Sequence, residues 1–139
     1  MRVIKEIEEL NALIKSGNLI KSGKRFIDNL FIDGIDFDLT LSQEKISLRN
    51  CIIKNSRFKM SNSIYLSGTV KLQNCIIDSI LSDTPILITG MVHESNPSLF
   101  LSNCSVLNRY LDLERISLIF VENLRKDCTL KYISHYDVK

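Results

Sequence analysis

One nine-residue phrase recurs five times along this chain of 139 residues, and its spacing restricts the folds that the chain can adopt. The copies read NLFIDGIDF from Asn29, NCIIKNSRF from Asn50, NCIIDSILS from Asn74, NCSVLNRYL from Asn103 and DCTLKYISH from Asp127. Successive copies begin 21, 24, 29 and 24 residues apart. Units of this length build stacked arrays, because a single unit cannot bury its apolar face without a neighbour.

The aligned copies share a pattern that predicts which side chains point inward. The position after Asn or Asp holds Leu30, Cys51, Cys75, Cys104 and Cys128. Two residues later stand the aliphatic residues Ile32, Ile53, Ile77, Val106 and Leu130. Alternation with a period of two places both sets on one face of a strand. We therefore expect Leu30 and the four cysteines to form one internal column, with Asn side chains at the bends bonding main chain or one another in a ladder.

The segments between the copies predict the fold class. Short alternating runs such as ISL, VKL and LFL favour strands, and the Asn, Ser, Gly and Asp residues between them favour tight bends. The sequence therefore predicts an all-β protein, a short parallel β-helix of about five coils over residues 26–133. A leucine-rich repeat is the alternative, but it requires a helix or an extended arc where the polar, turn-rich SRFKMSNSIYLSG stands.

Stacked small residues, aliphatic partners two positions later and Asn at the bends resemble right-handed parallel β-helix proteins. Residues 26–60 also resemble the pentapeptide-repeat family, since Cys51 and Ser56 are five residues apart, as are Ile53 and Phe58. The resemblance implies a right-handed coil. That family includes proteins that block or protect nucleic-acid enzymes. The resemblance therefore also implies that this protein inhibits a host nucleoprotein system and is carried by a phage or mobile element.

The composition excludes some functions and suggests a compartment. The formal net charge is +2, which argues against a DNA mimic and against strong steering towards nucleic acid. The N-terminal MRVIKEIEEL carries acidic residues where a signal peptide needs an apolar run, and no run is long enough for a membrane span. The four cysteines lack CxxC spacing, so we interpret them as buried core residues rather than a metal or redox cluster, and we expect a cytoplasmic protein.

Residues 1–17 predict an amphipathic helix that caps the N-terminal end of the β-helix. Its apolar positions are Val3, Ile4, Ile7, Leu10, Leu13 and Ile14. Gly17 is a suitable helix stop. A helix that binds a partner is the alternative interpretation.

The outward position within each phrase is apolar in the first three copies, where it holds Phe31, Ile52 and Ile76. We expect these residues to form an exposed stripe, and such stripes usually mark a contact surface. The stripe predicts an interface with a protein partner or a homodimer. The alternative is that the N-terminal helix or the loop around residues 82–85 covers it.

Three groups of polar residues could support a metal site, catalysis or nucleic-acid binding, but the support for each is weak. Asp28, Asp33, Asp36 and Asp38 form an acidic cluster that could hold a hard cation, although a solvated face is the simpler interpretation. His93 and His135 stand apart, and a triad of His93 with Ser95 or a cysteine has little support. Lys15, Lys21, Lys24 and Arg25 could contact nucleic acid or an acidic partner, or form a solvated linker.

The preferred interpretation is a non-enzymatic protein-interaction module, an inhibitor or adaptor with no cofactor, no metal and no membrane association. A small carbohydrate- or nucleotide-acting enzyme, or a ligand-binding protein of that kind, is the first alternative, with its site beside the aspartate cluster. A nucleic-acid binder that uses the segment from Lys15 to Arg25 is the second.

Overall fold

The computed structural model describes residues 1–17, 20–21, 24–38, 45–60, 63–79, 86–90, 97–106, 110–126 and 129–133. These residues form one helix and sixteen strands, which confirms the predicted all-β class. The helix is α1 (Ile7–Lys15). The strands are β1 (Arg2–Ile4), β2 (Ile20–Lys21), β3 (Lys24–Asp28), β4 (Leu30–Asp33), β5 (Asp36–Asp38), β6 (Lys45–Lys54), β7 (Arg57–Met60), β8 (Ser63–Gln73), β9 (Ile76–Ser79), β10 (Ile86–Gly90), β11 (Ser98–Ser102), β12 (Ser105–Val106), β13 (Tyr110–Glu114), β14 (Leu118–Glu122), β15 (Arg125–Lys126) and β16 (Thr129–Ile133).

The strands pair mainly in parallel and fall into three rows. The first row contains β3, the N-terminal part of β6, the N-terminal part of β8, β10, β13 and β16. The second row contains β1, β4, the C-terminal parts of β6 and β8, β11 and β14. The third row is a separate sheet in the order β5, β7, β9, β12 and β15. Because β6 and β8 run through the first two rows, those rows belong to one sheet.

Residues in the left-handed conformation separate the rows. The bend from the first row to the second carries positive φ at Asn29, Asn50, Gly68 and Arg115. The bend from the second row to the third carries positive φ at Gly34, Asn55, Asn74, Asn103 and Asn123. Asn tolerates this conformation better than most residues with a side chain, so the prediction of Asn at the bends is confirmed.

The second bend also contains the predicted amide ladder. The Asn55 side-chain amide donates to Asp33 Oδ1 at 2.9 Å, and the Asn74 amide donates to Asn55 Oδ1 at 3.3 Å. Further along, the Asn123 amide donates to Asn103 Oδ1 at 3.0 Å. Each link joins residues at the same bend of neighbouring strands, so the ladder adds to the main-chain hydrogen bonds that hold these strands in register.

The prediction of one internal column of Leu30 and four cysteines is wrong. Cys51 lies in the second row, opposite Val70 of β8. Cys75 and Cys104 precede Ile76 and Ser105, which pair with each other in the third row. The physical reason is that both bends need a left-handed residue followed by a buried one, so the same phrase satisfies either bend. Cys128 lies outside the described residues.

The three rows enclose a core of inward side chains. Its fully buried members include Ile27, Leu48, Ile53, Phe58, Leu66, Ile77, Ile88 and Leu99. The described thiols are also buried, and each donates to main-chain carbonyls, as Cys51 Sγ does to Ile27 O at 2.8 Å. Ser56 occupies the same column as Cys75 and likewise donates its hydroxyl to Lys54 O at 2.8 Å. Small side chains with one donor therefore suit this bend.

The N-terminal segment differs in part from the prediction. Residues 2–4 are strand β1, which pairs with β4, so the prediction of a helix over residues 1–17 is wrong for its first residues. β-Branched Val3 and Ile4 suit a strand, and the exposed edge of β4 offers it hydrogen-bond partners. Helix α1 follows and ends before Gly17, whose φ is 78°. Leu10 is buried and Leu13 packs against the core, so β1 covers the edge of β4 while α1 adds apolar side chains to the core.

Within the described residues, no helix combines the length and the apolarity that crossing a membrane requires. The segment where a leucine-rich repeat would need its helix contains β7 and the start of β8.

Candidate interaction face

The outward side chains at the centre of the second row form one continuous column. The paired residues are Val3, Phe31, Ile52, Lys71, Phe100 and Phe120, each opposite the next. In-register parallel strands lie about 4.8 Å apart, so the column runs about 24 Å across six strands. We call the outward side chains of this row the interaction face. A second outward column of the same face contains Asp33, Lys54, Gln73, Ser102 and Glu122.

The face is rich in aromatic surface. Phe120 is 51% exposed, and Phe31, Ile52 and Phe100 are half-buried. The rings of Phe100 and Phe120 lie 6.0 Å apart between centroids, tilted by 39°. Aromatic pairs at this distance attract each other beyond the area that they bury. The C-terminal end of the column therefore consists of two aromatic rings in contact, which solvent still reaches.

Two lysines lie over aromatic rings of this face. The Lys54 ammonium is 5.4 Å from the ring centroid of Phe31, and the Lys71 ammonium is 5.5 Å from that of Phe100. Both distances suit a cation–π contact. Among the described residues, neither lysine has a carboxylate within ion-pair distance. Each positive charge therefore lies over an aromatic ring.

Of the three residues predicted to form the stripe, the structure brings only two together. Phe31 pairs with Ile52 across β4 and β6, as the prediction requires. Ile76 belongs to β9 in the third row, where its neighbours are Arg57 and Ser105. The placement of Ile76 in the stripe is therefore wrong, for the same reason as the single column of cysteines. The interface role of Phe31 and Ile52 stays a prediction.

Sequence reasoning missed Lys71, Phe100 and Phe120. A signal for the first two was present, because Lys71 and Phe100 are the middle residues of the alternating runs VKL and LFL. A period of two turns the middle residue outward whenever its neighbours point inward. The loop around residues 82–85, proposed as a cover for the stripe, lies outside the described residues.

The acidic cluster is divided among the rows. Asp28 forms an ion pair with Arg49, and Asp33 accepts the Asn55 amide. Asp36 lies opposite Arg57 in the third row. The side chain of Asp38 lies outside the part of the structure that is described. Within the part of the chain that is described, no three His, Cys, Asp or Glu side chains are grouped to hold a metal ion. His93, Ser95 and His135 lie outside that part.

The basic segment is placed only in part. Lys15 is the exposed last residue of α1. Lys21 and Lys24 are cross-strand neighbours in the antiparallel pair of β2 and β3, and Arg25 pairs with Ile20. Only the backbone of these three residues is described, so contact with nucleic acid or an acidic partner stays a prediction.

Two of the buried thiols, those of Cys51 and Cys75, are poor nucleophiles in the folded state. Burial raises the pKa of the Cys51 thiol above its ordinary value of 9.0. The hydrogen bond with Cys104, followed by burial, raises the pKa of Cys75. A thiol kept protonated at neutral pH reacts slowly, since the thiolate is the reactive form.

No family model matches the chain, and no curated protein or solved structure is similar to it.

Proposed function

We propose that this protein is a non-enzymatic interaction module that contacts another protein through the interaction face. The observation that supports the proposal is the outward column from Val3 to Phe120, with its partly exposed Phe120 and half-buried Phe31 and Phe100. Inward residues and bend residues are required for folding, but a row of outward aromatic residues is not. Apolar surface of this kind in a soluble protein usually marks a contact site.

The proposed architecture is a short right-handed parallel β-helix, in which each coil contributes one strand to each of the three rows. The parallel register between strands roughly twenty residues apart and the two repeated bends support it. Right-handedness follows from the strong general preference of parallel strand connections. The five-residue spacing of Asn29 from Gly34 and of Asn50 from Asn55 supports the pentapeptide-repeat resemblance in this part of the chain.

The specific version of the proposal is an inhibitor or adaptor acting in the cytoplasm. The resemblance to pentapeptide-repeat proteins suggests a host nucleoprotein system as the target and a phage or mobile element as the carrier. The buried free thiols Cys51, Cys75 and Cys104 suit a reducing compartment. A homodimer through the same face is the other form that an interaction module could take.

A matched pair of charge substitutions tests the proposal. Ile52 and Ile76 are both half-buried, outward isoleucines, but Ile52 lies on the interaction face and Ile76 does not. Affinity capture from host cells should recover a partner with the wild type and with Ile76→Glu, but not with Ile52→Glu. Circular dichroism would establish that both variants are folded. Recovery of the same partners by all three proteins would reject the interaction face as the contact site.

A further inference from the structure

We infer that the interaction face recognises a short segment of a partner protein in which acidic residues are interspersed with apolar ones. The inference deepens the proposed function, on which it rests, by naming the chemistry of the partner. It depends on the lysines over Phe31 and Phe100, which combine positive charge with aromatic surface.

The two lysines lie on neighbouring strands at the centre of the face. Ile52 pairs with Lys71 and Lys54 pairs with Gln73, so Lys54 and Lys71 are diagonal neighbours on adjacent strands. The Cα atoms of such a pair lie about 7–8 Å apart. Each ammonium lies over its own ring, and Phe31 and Phe100 are three strands, or about 14 Å, apart, so a carboxylate at either lysine would have aromatic surface beside it. A segment with an acidic residue flanked by apolar residues matches this order.

The size of the face favours a segment over a second copy of the chain. Six strands about 4.8 Å apart, with about four residues along each, cover about 300 Å² in projection. A stable interface between two folded proteins buries about 800 Å² on each partner.

The lysines also disfavour single-stranded nucleic acid as the ligand. Binding of that kind relies on bases stacking on aromatic faces. The Lys54 and Lys71 ammonium groups already occupy faces of the Phe31 and Phe100 rings. Asp33 and Glu122 lie in the neighbouring column, where a phosphate backbone would meet negative charge.

Peptide binding, measured by fluorescence anisotropy, tests the inference. The probe is a labelled synthetic peptide that repeats Glu-Glu-Leu-Leu, and its matched control repeats Gln-Gln-Leu-Leu. The wild type should bind the acidic probe at least about tenfold more tightly than the control, with an affinity that falls as salt rises. The double variant Lys54→Glu, Lys71→Glu should bind the acidic probe at least about tenfold more weakly than the wild type. Lys59→Glu, at an exposed lysine of β7 in the third row, should stay within about twofold of the wild type.

Equal binding of the two peptides, an equal loss in Lys59→Glu, or no binding of the acidic probe would overturn the inference. Tighter binding of oligothymidylate would overturn it in favour of nucleic acid, and a dimer in light scattering that Ile52→Glu disrupts would overturn it in favour of a second copy. If Ile52→Glu abolishes partner capture while the lysine variants leave it intact, the proposed function stands and only the acidic partner is rejected.

Discussion

The outer faces of the second and third rows present different chemistry on the same kind of backbone. The second row shows Phe31, Ile52, Lys71, Phe100 and Phe120 in one column. The corresponding column of the third row shows Asp36, Arg57, Ile76 and Ser105. Both rows are parallel strands that begin at similar bends, so the backbone does not require this difference.

The comparison separates positions that folding constrains from positions that it leaves free. Inward and bend positions repeat because stacking and left-handed backbone restrict them. Outward positions vary from strand to strand, and of the second and third rows, as far as they are described, only the second fills them with aromatic residues. Its outward column is therefore where we place function, and substitutions at the two kinds of position should have different effects.

The largest expected difference is between an inward and an outward phenylalanine. Phe58 is 1% exposed, so Phe58→Ala should lower the free energy of unfolding by about 3–5 kcal/mol. Phe100 is half-buried, so Phe100→Ala should cost about 1 kcal/mol, mainly through its contact with Phe120. Urea denaturation of both variants measures the difference. Similar losses would mean that Phe100 belongs to the core and that the interaction face is wrongly assigned.

Two glycines with left-handed backbone should differ nearly as much. Gly68 has a φ of 62°, and a Cβ there would overlap the Asn50 side chain, whose Oδ1 accepts Thr69 N at 3.1 Å. Gly68→Ala should therefore destabilise the protein by about 2–4 kcal/mol. Gly34 has a φ of 72° but nothing within 4 Å of its Cβ position, so Gly34→Ala should cost about 1 kcal/mol. Thermal unfolding measures the difference. Equal decreases in melting temperature for the two variants would mean that Asn50 does not approach Gly68 closely.

The bend residues could be predicted from the sequence, but their register could not. Asn29, Asn50, Asn74 and Asn103 were identified because few residues other than Gly accept left-handed backbone. Their assignment to one column failed because Asn followed by a small buried residue suits the bend before Cys51 and the bend before Cys75 equally well. Only the hydrogen-bonded register distinguishes these bends, and register depends on contacts between strands that are distant in the sequence.

The same ambiguity explains the partial success at the candidate site. Phe31 and Ile52 were found because both follow the same bend, whereas Ile76 follows the other. Phe120 could not be added from the sequence, since its strand follows a bend at Arg115 that carries neither Asn nor Gly. An Arg in left-handed backbone has no distinctive sequence signal.

Substitutions of Asn74, which have a smaller expected effect, test the amide ladder at the second bend. Asn74 has a φ of 52°, and its side chain donates to Asn55 Oδ1. Asn74→Ala should cost about 1–2 kcal/mol, because it loses the hydrogen bond and strains the backbone. Asn74→Gly loses the same hydrogen bond but relieves the strain, so it should be the milder substitution in chemical denaturation. A Gly variant less stable than the Ala variant would contradict this account of the bend.

The smallest expected effect concerns alkaline pH. Burial raises the pKa of Cys51 in the folded protein, so the unfolded chain releases this proton first as the pH rises. The stability that the protonated Cys51 thiol contributes is fully present below the ordinary pKa of 9.0, and it is lost as the pH rises above that value. Between pH 8 and pH 10 this thiol should therefore lower the stability as the pH rises. Cys51→Val should show a correspondingly weaker pH dependence in urea titrations, and an unchanged dependence would mean that the thiol titrates normally.

The most direct test of the central claim, that the second and third rows carry separate outward columns, is the pattern of backbone nuclear Overhauser effects. The account predicts cross-strand contacts of Ile52 with Phe31 and Lys71, and of Ile76 with Arg57 and Ser105. Contacts between the backbones of Ile52 and Ile76 would instead place both residues in one column and contradict the account.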